Sequence, residues 1–115
     1  MIVTVNNITV AYEQLGSGPD LIVLHGWGYD HTLLLPFAQQ LGAFARVTLI
    51  DLPGHGGTQE PPVPYDAFDF ADTVAGVMDA LGIQKAAMLG HSNGGRTILA
   101  MTRDHADRMS RLILC

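Results

Sequence analysis

Cysteine is almost absent: of 115 residues only Cys115 carries a thiol, so the chain cannot form an internal disulfide. Positive charge is scarce as well. Six Lys and Arg stand against eleven Asp and Glu, a net charge of −5, whereas a surface that tracks phosphates concentrates cations. Nucleic acid is therefore excluded as an expected partner. No apolar run approaches the roughly 20 residues needed to cross a bilayer, and Met1 to Val5 show neither the cationic start nor the long apolar stretch of an export signal. The expectation is a cytoplasmic protein that does not engage the membrane. The residues with metal-binding side chains lack a Cys/His ligand spacing, so neither a metal nor a cofactor is expected. A length of 115 residues fits one domain, and a hydrophobic content of 48% suffices for a core of ordinary density.

What is present is a series of short apolar stretches rich in β-branched residues: Ile2 to Val5, Ile8 to Tyr12, Leu21 to Leu24, Val47 to Ile50, Ala86 to Leu89 and Leu112 to Leu114. The first two predict a hairpin turned at Asn6-Asn7. From Leu21 onward the stretches are continuously apolar, as in strands buried on both faces of a parallel sheet. Helical spacing separates them. Leu34, Phe37, Ala38 and Leu41 make one such pattern, with Pro36 tolerable only near a first turn. Phe70, Val74, Val77, Met78 and Leu81 form one apolar stripe, with Asp66, Asp69 and Asp72 near its amino end and Gly82 just past its carboxyl end. A third helix is expected from about Asn93 to about Asp104, after which His105 to Arg111 turn the chain into its last strand. The order predicts an α/β fold with a mostly parallel sheet and an amino-terminal hairpin. Only Thr58 to Tyr65, with three prolines, reads as irregular.

Three segments carry chemistry. Gly90-His91-Ser92-Asn93-Gly94 fits G-x-S-x-G and lies where a strand gives way to a helix. So tight a turn forces its central residue into a strained conformation, and the residues two positions away must lack bulk. Gly90 and Gly94 meet that demand. Ser92 is lifted above the sheet at the amino end of a helix, where partial positive charge favours a developing oxyanion, and is the candidate nucleophile. The plainer reading is a glycine-rich turn with a serine cap. His25-Gly26-Trp27-Gly28 follows the strand Leu21 to Leu24, and its small residues let the backbone bend toward the neighbouring strand end. An oxyanion hole needs two N–H donors aimed at one point, and the Trp27 and Asn93 amides are the natural pair. Asp51-Leu52-Pro53-Gly54-His55-Gly56 begins where Val47 to Ile50 ends and reads as a fixed, mainly structural rim loop.

With these segments, and with Asp107-Arg108-Met109 leading into Arg111 to Cys115, the chain resembles the α/β-hydrolase superfamily, specifically the small serine esterases that include the pimeloyl-acyl-carrier-protein methyl ester esterases. The resemblance covers essentially the whole chain. It implies that Ser92 is the nucleophile, that the Trp27 and Asn93 amides form the oxyanion hole, and that His25, Gly26, Gly28, Gly90, His91 and Gly94 shape the motifs. It implies hydrolysis of a small-molecule carboxylic ester or thioester through an acyl-enzyme, without cofactor or metal. Branches that open epoxides or displace halide place Asp at the nucleophile position, so they are disfavoured. The family also continues past the sixth strand into a cap and two further strands, whose loops supply the acid and the histidine base. Residues 1–115 are thus expected to be the amino-terminal portion of one hydrolase domain. The chain is expected to be inactive alone, with a partner in the missing carboxyl-terminal segment and with self-association through Arg111 to Cys115.

Two other classes compete. Gly90 to Thr97 matches a Walker A loop except that Arg96 replaces lysine, and Val47 to Asp51 passes for a Walker B strand. Arginine does not replace the compact ammonium between phosphates, the two motifs stand in the wrong order, and His25 to Gly28 is left unexplained. The second class is a non-catalytic binding module on a hydrolase scaffold. A His91-Ser92 dyad is disfavoured, because neighbours at such a turn project in different directions.

Overall fold

A computed structural model describes all residues from Met1 to Cys115. The chain runs β1 (Ile2–Val5), β2 (Ile8–Gly16), β3 (Asp20–Leu24), α1 (His31–Leu41), β4 (Arg46–Ile50), α2 (Ala67–Leu81), β5 (Ala86–Gly90), α3 (Asn93–Asp104), a 3₁₀ turn at Ala106–Arg108, and β6 (Met109–Leu114). One six-stranded sheet has the order β1-β2-β4-β3-β5-β6. Its β1/β2 and β2/β4 pairs are antiparallel, and the β4/β3, β3/β5 and β5/β6 pairs are parallel. This is the α/β fold expected from the sequence.

Each local choice has a visible cause. Asn6 and Asn7 take φ of 50° and 67°, the left-handed pair that a two-residue hairpin requires and that asparagine tolerates best among residues with a side chain. At α2, Asp66 accepts from the Asp69 amide while the Asp69 carboxylate accepts from the Asp66 amide, both at 2.9 Å; this reciprocal cap starts the helix at Ala67, three residues before the apolar stripe. Gly82 closes it at φ 71°. Both faces of the sheet are covered. Ile22, Leu24, Ile50, Met88 and the apolar sides of α2 and α3 make the larger core, while Val23, Val47, Leu49, Leu89 and Ala38 of α1 make the smaller one on the opposite face. Covering both faces is what makes β3, β4 and β5 read as unbroken apolar runs.

Three expectations are corrected. Strand β2 does not end at Tyr12 but continues to Gly16, because its half-buried polar residues pair with β4; Gln14 Nε2 donates to Thr48 Oγ1 at 3.0 Å. Helix α1 starts at His31, capped by the Asp30 carboxylate on the Thr32 amide at 2.9 Å, which puts Pro36 in its second turn. Proline has no N–H for the carbonyl of Thr32, but both residues are exposed, which limits the cost. The last strand begins at Met109 instead of following Arg111, with an irregular register between Ala86 and Ala87.

Arg108 fixes the approach to β6. Its guanidinium donates to the carbonyls of Gln84 at 2.8 Å and Ile83 at 2.7 Å and meets Asp79 at 2.8 Å. The two carbonyl bonds are the valuable ones, since Asp79 is largely exposed. Arg108→Ala is expected to cost about 2 kcal/mol, and Arg108→Lys most of that, because one ammonium cannot reproduce the planar fork. Thermal denaturation followed by circular dichroism checks this.

Candidate active site

Strands β3, β4 and β5 end side by side, and three loops leave that rim. Helix α1 follows β3 on one face of the sheet and α2 follows β4 on the other, so the loops separate at the carboxyl ends of β3 and β4. Open α/β sheets bind ligands at such switch points.

The turn from β5 into α3 holds Ser92 at φ 55° and ψ −111°, outside the populated regions for a residue with a side chain. The backbone around it is tied down. His91 N–H donates to the Leu24 carbonyl at 3.0 Å, Ser92 N–H to the Cys115 carbonyl at 3.2 Å, and Arg96 N–H to the Ser92 carbonyl at 3.1 Å. Glycine at the two flanking positions is a steric requirement. A Cβ on Gly90 would lie 2.5 Å from the backbone carbon of Gly94, and one on Gly94 would run into the Leu24 carbonyl. Ser92 is exposed and its hydroxyl makes no capping bond to α3.

The loop after β3 lies against this turn. A Cβ on Gly26 would sit 3.0 Å from the His91 ring and 3.4 Å from Ser92 Cβ, so only a glycine fits comfortably there. The next residue is Trp27. Neither the Trp27 amide nor the Asn93 amide donates a backbone hydrogen bond. Asn93 also has its side-chain Nδ2 buried without a partner, which no sequence pattern signalled.

His25 joins two of the rim loops. Buried at 1% exposure, it donates from Nδ1 to the Gly26 carbonyl at 2.7 Å and accepts at Nε2 from the Leu52 amide at 2.9 Å. Both ring nitrogens are occupied in one neutral tautomer. Burial holds its pKa below the ordinary 6.5, outweighing the Gly26 bond that favours the charged ring. The unfolded chain therefore takes up a proton that the folded chain refuses, and stability falls as pH drops through 6.5. The prediction is that wild type loses more stability on mild acidification than His25→Gln, whose amide oxygen still accepts from Leu52. Urea unfolding of both at several pH values measures the difference.

The loop after β4 is built on Asp51, which is fully buried. Its Oδ1 accepts from the His31 amide at 2.7 Å and lies 2.9 Å from His31 Nδ1, and its Oδ2 accepts from the Gly57 amide at 3.0 Å. A side chain at Gly56 would collide with that carboxylate. The loop is structural, as its glycines and proline suggested. The His31–Asp51 pair went unread in the sequence because nothing links residues twenty apart until the fold does.

The remaining histidines are dispersed. His55 places Nδ1 3.0 Å from the Pro53 carbonyl and meets Trp27 edge to face at 4.9 Å, and His105 pairs with Asp72 at 2.8 Å. The His91 ring makes no hydrogen bond, and no histidine ring hydrogen-bonds to Ser92. The phosphate-loop alternative is not favoured, because a cradle needs loop amides converging on one point. Here Asn93, Gly94 and Gly95 are already helical, and the two glycines are buried. No group of three or more His, Cys, Asp or Glu side chains is placed to hold a metal ion, and no helix is long and apolar enough to cross a membrane.

A family model for the alpha/beta hydrolase fold matches residues 19–115. The pimeloyl-[acyl-carrier protein] methyl ester esterase of Pseudoalteromonas atlantica is 39% identical over 88 residues, which are 76% of this chain and 33% of that protein. A 2-hydroxy-6-oxononadienedioate/2-hydroxy-6-oxononatrienedioate hydrolase of Burkholderia vietnamiensis is 34% identical over 113 residues, 93% of this chain and 39% of that one. Among solved structures, a thermophilic esterase from Thermogutta terrifontis superposes with a TM-score of 0.93 at 32% identity, covering all of this chain and 44% of the esterase. The chain thus spans well under half the length of these proteins.

Proposed function

The chain belongs to the α/β-hydrolase fold family, and from that premise we propose that it carries the nucleophile and oxyanion hole of a serine hydrolase for a carboxylic ester or thioester. The observation that carries the reading is Ser92 at φ 55°, with an exposed, uncapped hydroxyl. Strain at a non-glycine residue costs on the order of 1–3 kcal/mol and persists where the surroundings enforce it. Here Gly26, Gly90 and Gly94 make the enforcement possible.

In this reading Ser92 Oγ attacks the ester carbonyl and the Trp27 and Asn93 amides receive the charge that develops on its oxygen. Being fixed beforehand, such donors need no reorganisation as the charge forms. The bond to the alcohol or thiol breaks, the acyl group stays on Ser92, and water later releases it as the acid. Ser92 must lose a proton during attack, and no histidine of residues 1–115 is hydrogen-bonded to it. His25 is occupied at both nitrogens, and His31, His55 and His105 are each tied elsewhere. The His91 ring is free, but it and Ser92 are neighbours at a tight turn and project in different directions, so we place the base outside these residues. We place the acid there too, because Asp51 is already bound to His31 and Gly57.

The expected result is a chain inert in a routine p-nitrophenyl ester assay, since loss of a triad member leaves only roughly 10³ to 10⁴ over water. Imidazole added as a diffusible base is expected to restore acetylation from p-nitrophenyl acetate at Ser92, read by peptide mass spectrometry, and Ser92→Ala is expected to lose it. A folded chain whose Ser92 is never acylated overturns the proposal. Turnover without imidazole that vanishes in Ser92→Ala shows instead that a base lies inside the chain.

A further inference from the structure

A cleft of about 990 Å³ opens where the loops leaving β3 and β4 separate. One side is Trp27, Tyr29 and Leu33; the other is the proline-rich stretch through Val63 and Tyr65. Trp27, Tyr29, Leu33 and Val63 are 69%, 53%, 49% and 60% exposed, so large apolar side chains are gathered here in contact with water. Such concentration marks a binding surface, and the volume suits a small molecule. The walls are already set. The Trp27 ring packs against His55, which packs against the buried His25 at 5.1 Å, and Pro53, Pro61, Pro62 and Pro64 leave the second wall little freedom to lose.

The charge of the cleft is one-sided. Asp30 and Glu60 line it, and none of the chain's six Lys and Arg does. Asp30 is held as a carboxylate by the Thr32 hydroxyl and amide, which keep its pKa below the ordinary value. Aromatic faces add attraction for a cation and none for an anion.

We propose that this cleft receives the apolar end of the substrate and selects its charge, admitting an uncharged or cationic group and turning away a free carboxylate. As a subsite for the ester it rests on the hydrolase reading; as a binding site it stands on the cleft alone. Two carboxylates within one screening length are expected to separate an ammonium from a carboxylate of the same shape by about tenfold in affinity.

Trp27 is the only tryptophan, so its fluorescence reports occupancy directly. The full chain is titrated with 4-phenylbutylammonium, 4-phenylbutanamide and 4-phenylbutanoate at low and moderate salt. The expected order of Kd is ammonium tightest, amide next and carboxylate weakest, with the spread narrowing as salt rises. Asp30→Asn with Glu60→Gln is expected to bring the three within about twofold and leave the amide unchanged, because asparagine still caps α1. A carboxylate that binds as tightly as the amide, a spread that survives the double substitution, or no response to any of the three overturns the proposal. Ser92→Ala keeps the same order if the cleft is read correctly, so failure of the catalytic reading and failure of this one are separable.

Discussion

Gly94→Ala is expected to destabilise the chain by about 3 kcal/mol or more, lowering its melting temperature by roughly 10 to 20 °C for a domain of this size. The added methyl meets the Leu24 carbonyl, which is backbone of the central strand and already accepts the His91 amide. Nothing flexible is there to yield. Either α3 lifts off the end of β3 or the Ser92 turn relaxes, and both remove the strained geometry. Gly28→Ala is the control. Its φ of 81° is unfavourable for alanine, a penalty that helical Gly94 does not carry, but nothing lies within 4 Å of the new methyl. Only the left-handed penalty applies, roughly 1–2 kcal/mol. If Gly94→Ala melts no lower than Gly28→Ala, the tight contact between strand end and helix does not constrain this turn.

That glycine logic was legible before any coordinates, because it is local. A tight strand-to-helix turn demands small residues two positions either side of its centre, whatever the rest of the chain does. The same holds for Asn6-Asn7 and for Gly82, each read correctly from what its own backbone position requires. Strands β3, β4 and β5 were legible because burial on both faces leaves an unbroken apolar signature. What escaped depended on partners far away in sequence. Strand β2 reaches Gly16 only because β4 arrives to pair with it, and β6 starts at Met109 because Arg108 is anchored on carbonyls of Ile83 and Gln84. The Asp51–His31 pair and the cleft between Trp27 and Tyr65 are likewise products of assembly, with no spacing rule to announce them. In the candidate site, the sequence indicated the residues; the structure added the contact of Gly26 with the Ser92 turn and the commitment of His25, which removes that histidine from any acid–base role.

The 115-residue chain is expected to self-associate through β6, and Ile113→Lys is expected to abolish it. In this structure β6 pairs only with β5, leaving its far side as a row of free N–H and C=O groups. Leu112, Ile113 and Leu114 are 47%, 47% and 49% exposed, so apolar surface is open on both faces of that edge. Edge strands of soluble proteins are usually blunted by an inward charge, a proline or a bulge at the edge itself. Met109 to Leu114 contains neither proline nor acidic residue, and both its one charge, Arg111, and its bulge at Ser110 precede the apolar run. Two copies related by a twofold axis would pair β6 with β6 antiparallel, making new ladder bonds and covering the same side chains in both. Half-burial of an aliphatic side chain contributes on the order of 1 kcal/mol, and each ladder bond about 0.5–1.5 kcal/mol. Association itself costs an estimated 4–15 kcal/mol. These magnitudes predict a dimer that forms and dissociates within an accessible concentration range, not an obligate one. Size-exclusion chromatography with light scattering, run over a wide range of protein concentration, is expected to show wild-type mass rising with concentration and Ile113→Lys staying at one chain. A wild type that remains a sharp monomer throughout, with the same cooperative melt as Ile113→Lys, would show that the β6 edge does not pair.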